Sequence, residues 1–203
     1  MSTLTSSAEL RVNHEPPKRN NMTIICAYKD AESIVYGSDK RITFDSGTTY
    51  DVCKKWIQIG EENESQIIIG AAGSARLDNL IMSSAKNFGT AHSPYEIADL
   101  IKRAVLADTW KETKDEDGEP QSYNIDILLI CDSNLYRIGS DFSVTPIPEF
   151  TFVAAGSGEN LALGAAFATK NKKPKEILKV AIQAAIKHDP HCGGTFVIDE
   201  IEL

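Results

Sequence analysis

Hydrophobic and polar positions along this chain form blocks whose period changes in a regular order. Eight segments have the apolar, β-branched patterning of strands: 23–30, 33–39, 55–59, 66–72, 125–131, 135–139, 150–155 and 195–201. Four segments place apolar residues at helical spacing: 75–87, one opened by Ser93 and Pro94, 160–169 and 174–187. The helices follow the strands in two pairs. Burying all of these faces requires two packed sheets flanked by two helical layers, so the pattern predicts an α+β chain, a four-layer αββα sandwich.

Two segments lack such a pattern. The first 22 residues are polar, contain adjacent prolines and lack the apolar centre of a secretory signal. Residues 111–122 are acidic and are interrupted by Gly118 and Pro120, which indicates an exposed loop. We therefore expect a loose N-terminal extension or propeptide over 1–22 and one folded domain over 23–203.

Composition and charge narrow the class of protein. The 203 residues are 42% hydrophobic and 25% charged, which is typical of one globular domain with a sizeable core. The excess of 29 acidic over 21 basic residues gives a net charge of −8, which would repel nucleic acid and anionic membranes. No apolar run approaches the roughly 20 residues that cross a bilayer. We expect neither nucleic acid nor membrane as a partner.

The four cysteines have no CxxC spacing, which favours reduced thiols in a cytoplasmic protein. Cys26 and Cys131 lie inside apolar strands and are expected to be core residues. The cluster at 188–192, with two histidines, Asp189 and Cys192, matches no common zinc spacing. We therefore expect no metal.

A polar motif ends the second strand. Asp39, Arg41 and Thr43 form a D-x-R-x-T box; Asp39 lies 16 residues after Thr23, and Lys55 lies 32 residues after Thr23. The box and both spacings resemble those of the proteasome β-subunit and HslV-type peptidases, a family of N-terminal nucleophile hydrolases, and in particular its bacterial members. The resemblance implies that Thr23 is the catalytic threonine and that Asp39 and Lys55 assist it.

Three further segments extend the resemblance to the end of the chain. Residues 71–75 are similar to the family's A-G-x-A turn, residues 156–158 place a serine between glycines, and residues 189–193 are similar to D-x-x-S-G with cysteine in the serine position. The resemblance implies that the Gly73 amide is the oxyanion donor and that Ala71 shapes a roomy first pocket. It also implies that Ser157 and Asp189 belong to the catalytic group. Thr43, with the Gly73 turn, would grip the backbone of a peptide substrate.

The chemistry of these residues agrees with that assignment. A threonine hydroxyl is a poor nucleophile at neutral pH, but a free α-amino group on Thr23, with a pKa of about 8, can take its proton through one bridging water. The Lys55 ammonium favours the deprotonated groups by its charge, and a buried Asp39 fixes Lys55 in place. Amide donors at Gly73 then stabilise the oxyanion. Such a site hydrolyses peptide bonds through an ester on Thr23 and needs no cofactor.

Each candidate also has a structural interpretation. Asp39 could be a turn residue, Lys54 and Lys55 could be a solvated pair on an edge strand, and Ser157 could belong to a helix cap. Because side chains alternate faces along a strand, only one of the two lysines points inward, and spacing selects Lys55.

The sequence thus predicts a threonine-type endopeptidase, provided that the Thr23 amine is free. Self-processing, translation from Met22, and a permanently capped chain all remain open. Two alternative functions also remain: an inactive ring or scaffold subunit that retains residues 1–22, and a hydrolase of small amides. The resemblance implies a homo-oligomeric ring, unfolded polypeptide or peptide substrates, and an ATP-dependent unfoldase or other activator.

Overall fold

The computed structural model describes residues 23–43, 48–51, 55–60, 66–73, 75–88, 91, 93–108 and 125–203. The predicted extension 1–22 and the predicted loop 111–122 lie outside the described residues. Within these ranges the elements, in chain order, are β1 Ile25–Lys29, β2 Ser33–Asp39, β3 Ile42–Thr43, β4 Thr49–Tyr50, β5 Trp56–Ile59, β6 Ile67–Ala72, α1 Ala75–Phe88, α2 Pro94–Ala107, β7 Asp126–Cys131, β8 Asn134–Ile138, β9 Val144–Pro146, β10 Thr151–Ala155, α3 Glu159–Ala168, α4 Pro174–His188 and β11 Phe196–Glu202.

The described strands form two main antiparallel sheets. The first sheet has the order β10-β1-β2-β11, and the second has the order β5-β6-β7-β8-β9. A tight turn at Asp30 joins β1 to β2, because its carboxylate accepts hydrogen bonds from the backbone N–H groups of Glu32 and Ser33 at 3.0 and 2.8 Å. With neighbours on both sides, β1 has a fixed register, in which Ile25 lies opposite Ser38 and Ala155. The start of β1 therefore lies beside the end of β2.

The helices α2 and α4 begin where the sequence supplies a cap or a proline. Ser93 caps α2, since its hydroxyl accepts a hydrogen bond from the Glu96 N–H at 3.2 Å, and Pro94 occupies the first turn. Pro174 opens α4 in the same way. One face of each helix is apolar; the buried residues of α4 are Ile177, Leu178, Ala181, Ile182 and Ala185.

Three apolar clusters separate the layers. One lies between α1, α2 and the second sheet, another lies between α3, α4 and the first sheet, and the third lies between the two sheets. The alternation along β7 shows the arrangement: Ile127 and Leu129 face the helices, whereas Leu128 and Ile130 face the first sheet. Each fully buried side chain of this kind stabilises the fold by about 1.5–3 kcal/mol. The predicted four-layer αββα sandwich is confirmed.

A polar contact also joins the sheets. Lys29, at the end of β1, donates a hydrogen bond of 2.9 Å to the side-chain oxygen of Asn134, at the start of β8. Only 8% of Lys29 is exposed, whereas Asn134 is exposed, so this bond is partly buried and lies at the margin of the layer between the sheets.

The predicted element boundaries differ from the structure by one or two residues, but three short strands were not predicted. The strands β3 and β4 are two residues each, and β9 is three residues long and ends in Pro146. Segments of this length are too short to show a period of two, and proline is tolerated at the edge position that β9 occupies. In the described part of the chain, no helix combines the length and apolar character needed to cross a membrane.

Candidate active site

Three polar side chains meet at one end of the sandwich, and all three are buried. Thr23 immediately precedes β1, Asp39 is the last residue of β2, and Lys55 immediately precedes β5 of the other sheet. The antiparallel pairing of β1 and β2 places the first two side by side, and sheet packing brings the third to them. Thr23, Asp39 and Lys55 are 5%, 0% and 7% exposed.

Asp39 organises the group. Its Oδ1 accepts hydrogen bonds from the Thr23 hydroxyl at 3.0 Å and the Ile24 N–H at 3.1 Å, and it pairs with the Lys55 Nζ at 2.6 Å. Its Oδ2 accepts the Gly193 N–H at 2.9 Å. A buried carboxylate needs such donors to offset the loss of water, and the four donors here come from three separate parts of the chain.

Lys55 provides the positive charge at the nucleophile. Its ammonium group donates a hydrogen bond to the Thr23 hydroxyl oxygen and is held in place by Asp39. In this arrangement, negative charge that develops on the threonine oxygen is met by a fixed cation in a site from which water is largely excluded.

The backbone of Thr23 is fixed by the loop before α3. Its carbonyl oxygen accepts hydrogen bonds from the Gly158 N–H at 3.3 Å and from the Ser157 hydroxyl at 3.4 Å. Gly156 has a φ of +107°, and its Cα faces the Thr23 carbonyl so closely that a side chain would collide with it. This loop therefore controls where the threonine sits.

The loop after α4 completes the group. Asp189 caps the end of α4, and its carboxylate accepts the His191 N–H at 2.9 Å and the Cys192 thiol at 3.4 Å. The Cys192 sulfur also lies 3.8 Å from the Ser157 hydroxyl. Burial, and then the nearby Asp39 and Asp189 carboxylates, raise the pKa of the Cys192 thiol far above its usual range, so the sulfur keeps its proton and acts as a donor.

The predicted substrate-binding residues lie on neighbouring elements. Trp56 of β5 pairs with Gly70 of β6, so the end of β6, followed by Gly73, runs beside Lys55. Ala71 is buried, with its side chain in the cluster beneath α1. Thr43 pairs with Thr49 in the β3–β4 ribbon. Their roles toward a substrate stay predictions.

The structure adds residues that were not singled out in the sequence. Gly193 and Gly158 donate backbone N–H groups to Asp39 and Thr23, and only the glycine-containing motifs around them hinted at this. Asp78, in the first turn of α1, interacts electrostatically with Lys55; burial raises its pKa to about 7, and the Lys55 charge opposes that rise. An acidic residue in the first turn of a helix is common, so no sequence signal marked Asp78.

Comparison with known proteins identifies the fold. No family model matches the chain. Eukaryotic HslV from Trypanosoma brucei is similar with a TM-score of 0.63 at 20% identity, over 89% of this chain and 100% of that chain. Thiobacillus denitrificans BPH in complex with epoxomicin gives 0.65 at 20% identity, over 89% and 99%. The helical assembly of the Anbu (ancestral beta-subunit) complex from Pseudomonas aeruginosa gives 0.69 at 12% identity, over 89% and 81%. The chain therefore has the proteasome-like, N-terminal nucleophile hydrolase fold that HslV and Anbu share.

Proposed function

We propose that this chain is the threonine-type peptidase subunit of an oligomeric complex and that it hydrolyses peptide bonds with Thr23 as N-terminal nucleophile. The observation that carries the proposal is the buried Lys55–Asp39 ion pair, which converges on the Thr23 hydroxyl. A buried ion pair is often no more stabilising than apolar side chains of the same size would be. The energetic cost of burying these two charges is therefore best explained by a role in a reaction.

The first half of the reaction acylates Thr23. The α-amino group of Thr23, freed by removal of residues 1–22, takes the hydroxyl proton through a water molecule while Oγ1 bonds to the substrate carbonyl carbon. Lys55 stabilises the charge on Oγ1, and the Gly73 amide stabilises the oxyanion, a contribution of about 3–4 kcal/mol for one such donor. The C–N bond then breaks, and the leaving amine takes the proton from the α-ammonium group.

The second half releases the acid product. Water gives a proton to the α-amino group and attacks the ester carbon, and Oγ1 leaves and regains its proton. The bonds from Ser157 and Gly158 to the Thr23 carbonyl hold the residue still through both halves. Asp189 and Cys192 support Ser157 from the other side.

Assembly and substrate delivery are part of the proposal. The HslV likeness and the helical Anbu assembly support a homo-oligomer, and we propose a ring whose sites face an enclosed chamber. Such a chamber admits unfolded polypeptides or peptides and so requires an ATP-dependent unfoldase or another activator. Cys26, Cys131 and Cys192 are free thiols, which suits a cytoplasmic location.

Mass spectrometry and a peptidase assay test the proposal together. Purified protein is expected to begin at Thr23, to sediment as an oligomer and to cleave fluorogenic peptides. The variant Thr23→Ala is expected to lose at least about a thousandfold in turnover. The matched control is Thr145→Ala, which alters an exposed threonine in the edge strand β9 and is expected to behave as wild type.

The outcomes separate the candidate functions. Turnover that survives in Thr23→Ala would reject Thr23 as the nucleophile. A chain that keeps residues 1–22 and cleaves nothing would favour a scaffold subunit. Turnover of small amides alone, with peptides untouched, would favour an amidohydrolase.

A further inference from the structure

A guanidinium group near the site is bound by two carboxylates from different layers. Arg137, in β8, donates from Nε and Nη2 to the two carboxylate oxygens of Asp126 at 2.9 and 2.7 Å. Its Nη1 and Nη2 donate to the two carboxylate oxygens of Glu159 at 3.0 and 3.3 Å. Both contacts use the planar fork of arginine in two parallel bonds, a geometry that lysine cannot reproduce.

The three residues connect the second sheet to the start of α3. Arg137 lies opposite Leu128 in the register of β7 and β8, so it shares the face that packs on the first sheet. Asp126 is the first residue of β7 and lies opposite Ala72 of β6. Glu159 begins α3, the helix that packs on the first sheet.

Both ends of this bridge adjoin the catalytic group. Asp126 lies across from Ala72, the residue directly before the predicted oxyanion donor Gly73. Glu159 directly follows Gly158, whose N–H binds the Thr23 carbonyl, and the Glu159 N–H bonds to the Gly156 carbonyl at 3.1 Å. The nucleophile and the oxyanion donor thus belong to different sheets, and Arg137 binds a residue beside each.

We propose that Arg137 is a positioning residue: it sets the distance between Thr23 on one sheet and the Gly73 amide on the other. The proposal rests on the proposed peptidase function, because the distance matters only if an oxyanion forms between them. Misplacement of reacting groups by about 1 Å can lower the rate about a hundredfold. A residue that fixes this distance can therefore have a large effect on kcat.

The group formed by Arg137, Asp126 and Glu159 is less exposed to solvent than an ordinary surface ion pair. The side chains of Arg137, Asp126 and Glu159 are 34%, 16% and 28% exposed, whereas those of the helical pair Arg103 and Asp99 are 74% and 49% exposed. Burial raises the pKa of Asp126, and the bonds from Arg137 oppose that rise. Without Arg137 the two carboxylates would repel each other, and the start of α3 would lose its polar tie to β7 and β8.

Steady-state kinetics on the full chain tests the proposal with three variants. Arg137→Gln removes the clamp, Arg137→Lys keeps a positive charge without the fork, and Arg103→Gln is the matched surface control. We expect kcat for a fluorogenic peptide to fall about 10- to 100-fold in both Arg137 variants, with KM within about threefold of wild type. Arg103→Gln should match wild type. Wild-type kcat in Arg137→Gln, or a loss explained wholly by the unfolded fraction in a urea titration, would overturn the proposal while the peptidase function stands.

Hydrogen exchange supplies a readout that does not depend on turnover. In Arg137→Gln we expect faster amide exchange in 66–73 and 156–162 together, with exchange in α2 unchanged. If the wild-type protein cleaves nothing, the peptidase proposal fails, and exchange alone decides whether Arg137 couples the two segments. Unchanged exchange in either segment would overturn the clamp.

Discussion

Replacing Gly156 with alanine should damage both the fold and the site, because this residue lies against the Thr23 backbone. Its φ of +107° is a conformation that residues with a side chain rarely adopt. A Cβ atom there would also meet the Thr23 carbonyl oxygen, and would lie 2.9 Å from the carbonyl carbon and 3.0 Å from Cγ2 of Thr23. The added methyl group cannot be accommodated unless Thr23 or the loop moves.

The magnitude follows from those two effects. A strained backbone conformation costs about 1–3 kcal/mol, and forcing an extra methyl group into a packed region costs about the same again. The expected total of about 2–6 kcal/mol lowers Tm by roughly 4–24 °C for a domain of this size, at about 2–4 °C per kcal/mol. Moving Thr23 away from Lys55 should in addition reduce peptide turnover in the protein that remains folded.

Gly164 provides the matched control. It lies in α3, eight residues further along the chain, where a Cβ atom would meet nothing within 4 Å. Gly164→Ala should therefore raise stability by about 0.5–1 kcal/mol, as alanine does in a helix interior. Differential scanning fluorimetry of both variants, with the peptidase assay run well below Tm, checks the reasoning. A Gly156→Ala protein with the same Tm and the same turnover as wild type would refute this reasoning.

Three further predictions concern buried polar groups. Asp39→Asn leaves the Lys55 ammonium buried without its charge partner, which should lower the free energy of unfolding in urea by about 3–5 kcal/mol. Adding Lys55→Met should recover part of that loss, and a double variant that is equally unstable would contradict the pairing. Cys192→Ala removes the donor to Asp189 Oδ2 and should lower the free energy of unfolding by about 1–3 kcal/mol. Cys192→Ser keeps a donor and should retain most of the stability and turnover, and equal effects of the two variants would show that packing alone matters. Burial raises the pKa of Asp78 from 3.8 to about 7, so the folded state binds its proton more tightly and loses stability as pH rises between those values, by at most about 4 kcal/mol. Asp78→Asn should flatten this dependence between about pH 4 and 7, and an unchanged slope in urea titrations would reject the assignment.

The layers of the fold could be predicted from the sequence because long periodic segments decide them. The buried faces of α2 and α4 recur at helical spacing, and the alternation in β7 places its side chains on two apolar faces. The antiparallel pairing of β1 and β2 places Thr23 beside Asp39, whereas the sequence had linked the two residues only through their spacing.

Contacts between distant segments could not be derived in that way. Lys55 belongs to the other sheet, and only the family-like spacing pointed to it. Gly193 lies 154 residues from Asp39, so the bond between them depends on how α4 and β11 pack. In the sequence, Arg137 looks like any charged strand residue that faces solvent. Its bonds to Asp126 of β7 and Glu159 of α3 become apparent only in the folded chain.

The strand β8 is bonded at one end to the first sheet and near the other end to helix α3, which packs on that sheet. Asn134 bonds to Lys29 at one end, and Arg137 bonds to Glu159 at the other. The apolar layer between the sheets resists separation, but it has no directional preference, so a small lateral slip would keep nearly all of its burial. Such a slip would stretch these two bonds first. Moderate hydrostatic pressure or dilute urea should therefore disturb the alignment at Thr23 while the circular dichroism of the helices still shows a folded protein.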